Sequence, residues 1–287
     1  MVLESLIDSF KAVKKPSHLI IYGLLVSIIA IFLAYWVFPE FASIIYVFFI
    51  VMAVLPLMIN IIKSEEKKDV SDFHEVALLK EHAKALKAFM ALFLGITLAV
   101  TIVYVLLPSN TINTIFSSQT NTINSINSRV VGEITGKVAG FGAFTKIFLN
   151  NVKVLIFCIL FSFLYGAGAI FILTWNASVI GVAMGNYIRS NIASIAVKEG
   201  LGQTANYFTV VGIGLFKYTI HGIPEILAYF VAALAGGIIS IGVIRHDFKG
   251  RKFEQIILDS ADLLLLSLAI LLIAAILEVW VTPLIFS

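Results

Sequence analysis

The chain has 287 residues, 60% of them hydrophobic and 13% charged, with a net charge of +3 at pH 7. An ordinary soluble domain carries about 25% charged residues, and crossing a bilayer core takes roughly 20 apolar residues in a helix. Uncharged stretches of that length recur here, which excludes a soluble globular enzyme, a disordered chain and a nucleic-acid-binding protein, and leaves an all-α, polytopic membrane protein.

Lys11, Lys14 and Lys15 precede the first apolar run and imitate a signal peptide. That run holds 24 uncharged residues from Pro16 to Pro39 and ends in Phe38-Pro39-Glu40, not in small residues, so it reads as a retained span over 19–38. Only Pro39 and Glu40 separate it from a second span over 41–62, which predicts a tight hairpin. The charged connector 63–87 contains Asp72 and Glu75, a capping pair that opens a helix running on into a third span over 86–107. The segment 109–151 is rich in Ser, Thr and Asn, yet Ile112, Ile115, Phe116, Ile123, Ile126, Val130 and Ile134 recur at roughly helical spacing. This pattern predicts an amphipathic helix on the outer membrane surface or capping the bundle.

Later spans are expected over 152–175, 204–220, 223–244 and 263–283. The fifth is short enough to be a half-helix, so the expected fold is an all-α transmembrane bundle of about seven segments with a broken or re-entrant helix near 204–225. Three units follow: 1–107, with the hairpin, connector and third span; 108–151, extracytoplasmic; and 152–287, transmembrane. Cytoplasmic loops carry an excess of Lys and Arg. With the amino terminus inside, the inner segments hold 15 of the 20 basic residues, Arg189 and Lys198 among them. That places the amino terminus in the cytoplasm and the carboxyl terminus outside. Cys158 is the one cysteine, so no disulfide framework is available and it reads as a small apolar group in a packed helix.

Polar residues inside a membrane are functional candidates by default. Lys217, His221 and Glu225 lie at i, i+4 and i+8 and would share a face of a continuous helix. Pro224 argues for a break instead, with Gly222 easing the backbone and Glu225 in the first turn of the next helix. Such a corner is either structural, its polar groups satisfying one another, or a proton, ion or substrate site; one His and one Glu are too few ligands for a metal. Asn150 and Asn151 stand just before the fourth expected span and Asn176 just after it, where Asn caps helices or bridges them. Gly181 and Gly185 would permit close helix approach. The connector's Asp72, His74, Glu75, Glu81 and His82 spread around a helix among lysines and read as a solvated face. Nothing matches a phosphate-binding loop, a zinc helix or a nucleophile elbow. No enzymatic activity, cofactor or resident metal is expected.

Asn150-Asn151, the glycines Gly166 and Gly168, Asn176-Ala-Ser-Val-Ile-Gly181 with Gly185, His221-Gly-Ile-Pro-Glu225 and Ala232-Ala-Leu-Ala-Gly236 together resemble the stage II sporulation protein M family. The resemblance runs from about residue 149 to the carboxyl terminus. It departs from the family pattern where Ile220 stands in place of a usual proline, with the proline moved to Pro224, and where Ala177 follows Asn176 in place of a common glycine. The resemblance implies a multi-span membrane component that works through protein partners, since spore-forming members anchor complexes with cell-wall-degrading proteins. The expected function is therefore a membrane scaffold or assembly factor. Its expected partners are the lipid bilayer, membrane or extracytoplasmic proteins and further copies of itself, and not nucleic acid. The alternative is a small transporter or channel built on the His221–Glu225 corner.

Overall fold

A computed structural model describes residues 15–69, 75–131, 139–165, 169–199, 204–244 and 251–286. The described chain is helical almost throughout and contains no strand. Helix α1 (Pro16–Val37) opens on a proline, whose missing N–H costs nothing in a first turn. A single 3-10 turn, Pro39–Phe41, then joins it to α2 (Ala42–Asp69). Helix α3 (Glu75–Leu106) runs without interruption from the charged connector into the third span. Two shorter helices follow, α4 (Ser109–Ile115) and α5 (Ser117–Val131), and then α6 (Ala139–Tyr165), α7 (Ala169–Glu199), α8 (Thr204–Ile244) and α9 (Arg251–Ile276). A π-helical turn, Leu277–Val281, leads into α10 (Thr282–Phe286).

Among the described residues, seven helical stretches are long and apolar enough to cross a membrane. Their division differs from the sequence expectation in two places. The expected break near 204–225 does not occur, because α8 runs unbroken from Thr204 to Ile244 with Pro224 inside it. A proline removes one backbone hydrogen bond, but ending the helix would free several backbone groups where no water can satisfy them. The expected fourth span over 152–175 is in fact parts of two helices. Helix α6 begins 13 residues before that span, at Ala139, and α7 is a complete span of its own through a region read as an inner loop. Polar residues such as Asn150, Asn151, Lys153 and Asn176 masked both, since they line a cavity between helices.

Helix α8 is the centre of one half of the bundle, packing on α6, α7 and α9, while α3 packs on α1 and α7. In its candidate span 72% of α8 is buried, against 22% in those of α6 and α9, so the latter two form the rim. Their outward side chains, among them Phe157, Leu164, Leu265 and Leu272, are exposed and suited to lipid. The core between the halves contains Phe89 stacked on Phe230 at 5.4 Å, with Phe93 edge-on to the same ring.

Helices α3 and α7 run in the same direction at close approach. A β-carbon at Gly181 would stand 2.8 Å from Val100 Cβ and 2.9 Å from the Thr97 carbonyl, and one at Gly185 would stand 2.8 Å from Tyr104 Cβ. Arg189, a turn further on, donates from Nη1 to the Leu107 carbonyl and from Nη2 to Ser109 Oγ at 3.0 Å, capping the end of α3. Arg189 therefore sits at the opposite end of the bundle from the 63–87 connector, not on the connector's side as the charge count assumed.

Helices α4 and α5 cap that end. Ile112, Ile115 and Phe116 are buried, and the Phe116 ring packs on Tyr46 at 5.8 Å and Tyr104 at 5.4 Å. Gln119 is wholly buried, its Nε2 donating to the Ser43 carbonyl at 2.9 Å and Ser178 Oγ at 3.3 Å. Of the other positions singled out in the sequence, Ile134, Gly166, Gly168, Asp72 and His74 lie outside the described residues. The same holds for the side chains of Ile126, Val130, Glu75, Glu81 and His82.

Candidate intramembrane cavity

A cavity of about 430 Å³ opens among α6, α7 and α8 at mid-length of these spans, with Ile123 of α5 at one edge and Glu278 of the π turn at another. Continuity of α8 builds one wall: Tyr218, His221 and Glu225 lie three and four residues apart and so fall on one face. Lys146, Asn150 and Lys153 occupy an equivalent stripe of α6, with Asn151 beside them, and Asn176, Ile180 and Ala183 line the cavity from α7. Glu278 enters from the π turn, a wide turn that shifts side chains off the ordinary helical register.

Glu225 Oε1 accepts a hydrogen bond from the hydroxyl of Tyr229, 2.8 Å away and itself fully buried. The Glu278 carboxyl lines the same cavity as Glu225. His221 Nδ1 stands 3.4 Å from Thr282 Oγ1, so the carboxyl-terminal turn also orients the imidazole. Asn176 donates to the Ile172 carbonyl at 2.9 Å along its own helix. Asn151 is only 6% exposed and lines the cavity. Lys146, Asn150 and Lys153 are exposed, so the cavity is open along α6. The upper part of α6 is tied to the π turn by Trp280, whose ring lies 5.2 Å from Phe144 and 6.0 Å from Phe141. Lower down, Ser162 Oγ donates to the Ala233 carbonyl of α8, and Gly236 admits the Ile159 carbonyl close to its backbone.

The residues singled out in the sequence thus divide into three groups. His221, Glu225, Asn150, Asn151 and Asn176 meet at the cavity, although the three asparagines sit within helices and not at their ends. Lys217 turns away, its ammonium 5.0 Å from the centre of the Tyr187 ring, and Gly222 and Pro224 belong to α8 without lining the cavity. Gly181 and Gly185 serve the α3–α7 contact. Sequence reasoning missed Glu278 and Tyr229. Glu278 carried a visible signal, being the one charged residue in the apolar run from 263 to 287. Among the described residues no group of three or more His, Cys, Asp or Glu side chains is placed to hold a metal ion. The wall offers two carboxyl groups, an imidazole and three amides in a low-dielectric setting, where each polar group strongly favours a complementary partner.

The family profile described as Stage II sporulation protein M matches residues 90–283, about two thirds of the chain. The match begins inside α3, well before the segment that carries the resemblance in the sequence, and every cavity-lining residue falls within it. No curated protein and no solved structure matches the chain. With a single family match over most of its length, the chain belongs to the stage II sporulation protein M family.

Proposed function

We propose that this protein is a membrane assembly component that recruits protein partners through the cap formed by α4 and α5. The observation that carries the reading is the cap's construction. It is fixed to the bundle by buried Phe116 and Gln119, yet it presents Asn110, Asn113, Thr114, Asn121 and Asn124 outward. A firmly held surface rich in amides and hydroxyls suits hydrogen bonding to another protein. Family membership supports the same reading, because its spore-forming members serve as anchors. With the spans as they fold, the segments on the amino-terminal side hold 13 of the 20 basic residues, which favours a cytoplasmic amino terminus and an extracytoplasmic cap. A photo-crosslinking residue at Asn113 or Asn121 in living cells should yield a discrete protein adduct, and one at lipid-facing Phe157 should not. Absence of any cap-specific adduct would remove this reading.

The cavity favours a second reading, in which the protein moves a small solute across the membrane. It reaches both His221 and Glu225, as a transport pathway would require. Purified protein in liposomes should then pass solute in a pH-dependent manner, and Glu225→Gln should abolish that flux. Liposomes that stay tight to ions and small solutes would count against it.

A further inference from the structure

We propose that Glu225 of α8 and Glu278 of the π turn form a proton-binding carboxyl pair, and that loss of its proton unseats the π turn from the bundle. The inference goes beyond partner recruitment and solute movement, and liposomes that stay tight would leave it standing. Placement comes first. Each glutamate is an acidic group inside an apolar membrane run, a costly position that marks a functional one. The two reach one cavity of about 430 Å³ from separate elements. Both are partly accessible there, and the cavity is open along α6, so water can deliver and remove a proton.

The surrounding charges come second. Glu225 accepts a hydrogen bond from the hydroxyl of Tyr229 at 2.8 Å, a neutral donor and not a cation. On the same helix Lys217 holds its ammonium over the Tyr187 ring, the His221 imidazole stands against Thr282, and Tyr218 lines the cavity. Helix α6 contributes Lys146 and Lys153 from its exposed stripe, with the buried thiol of Cys158 further along. Helix α7 contributes amide and apolar lining, with no ionisable group among the described residues. Two carboxylates facing one low-dielectric space repel each other, and a proton on either one removes the repulsion. Which element yields comes third. Among the described residues α8 is the most buried candidate span, whereas the π turn is five residues long and lies at the rim. π geometry is rare and concentrated at functional sites. The turn's other ties are Trp280, 5.2 Å from Phe144, and the following Thr282, 3.4 Å from His221. Proton loss therefore displaces Glu278 and lifts Trp280 from Phe144 while α8 stays in place, and proton gain reseats the turn.

An ordinary glutamate titrates near pH 4.3 and an ordinary histidine near pH 6.5. In the full chain carrying Trp36→Phe and Trp175→Phe, Trp280 is the one tryptophan left. Its emission in detergent, followed from about pH 5 to about pH 9, should show one reversible red shift as pH rises. Amide exchange of 277–286 in the unsubstituted chain, corrected for the intrinsic pH dependence of exchange, should quicken roughly fivefold or more across the same step. The middle of α8 should not change, and this second readout needs no tryptophan substitution. Glu225→Gln and, separately, Glu278→Gln should each keep Trp280 in its low-pH state throughout, because one carboxylate then has no like neighbour. His221→Gln should retain the step. The proposal is overturned if neither readout shows a step over that window. It is equally overturned if the step survives in the double glutamine variant, or if His221→Gln removes it.

Discussion

Tyr229 is fully buried, and its hydroxyl has Glu225 as its acceptor. Removing that acceptor by Glu225→Ala should cost about 1–3 kcal/mol, the usual penalty for an orphaned buried polar group. Glu225→Gln, which keeps an oxygen in place, should cost clearly less; chemical denaturation of both variants in detergent would measure the difference. The glycines of α7 make a second forecast. Gly181→Ala would drive a methyl group into Val100 and the Thr97 carbonyl, and overpacking of this kind costs typically about 1–3 kcal/mol. A lowered unfolding midpoint with intact helical content would bear this out. Much of the residue-level detail was legible from one rule, that a polar group inside an apolar run has a reason to be there. The rule found His221, Glu225 and the asparagines. It would also have found Glu278 had the last span been searched as closely. Tyr229 carries no such signal, since an aromatic ring in a membrane helix needs no explanation until its hydroxyl is seen to point at a carboxylate.

Helix by helix, the misreadings share one cause. Proline and glycine mark helix ends reliably where water can take up the freed backbone groups, and α8 has no such relief over its middle. Pro224 is carried inside a continuous helix, so Pro224→Ala, which restores a backbone donor, should leave the unfolding midpoint unchanged or raise it. A marked fall would show that the proline shapes the helix in a way other residues cannot. Polar residues of α6 and α7 misled in the opposite sense. Asn150, Asn151, Lys153 and Asn176 diluted the apolar signal of two true spans, because no single sequence distinguishes a polar group facing a cavity from one facing solvent. The capping helices were legible through Ile112, Ile115 and Phe116, although the residue that ties them down, Gln119, looked like part of a polar surface. Gln119→Ala removes the donations to Ser43 and Ser178, so amide exchange across α4 and α5 should quicken selectively. Uniform exchange across all helices would show that the aromatic contacts alone hold the cap.

For the molecule as a whole, seven spans and an excess of basic residues on the amino-terminal side could be read from the sequence, but the path between them could not. Taking α7 as a full span moves its carboxyl-terminal end to the side opposite the 63–87 connector. A membrane-impermeant thiol reagent added to intact cells, in a Cys158→Ala background, should therefore label Ser190→Cys and spare Ser64→Cys. The reverse pattern would invert the whole arrangement. The manner in which α6 is held has a mechanical consequence. Ser162 and Gly236 hold it close to α8 at one level and would serve as the fulcrum of any tilt of α6. The arm beyond carries Lys153, Asn150 and Lys146 along the cavity and reaches about 24 Å to Lys146 at 1.5 Å of rise per residue. A tilt of about 5° at the fulcrum would move the end of that arm by about 2 Å. Because Phe144 near its tip is latched to Trp280, the same tilt would pull on the π turn that holds Glu278. Lever and carboxylate would then move together: a tilt that widens the cavity would displace one of the two acidic groups that line it.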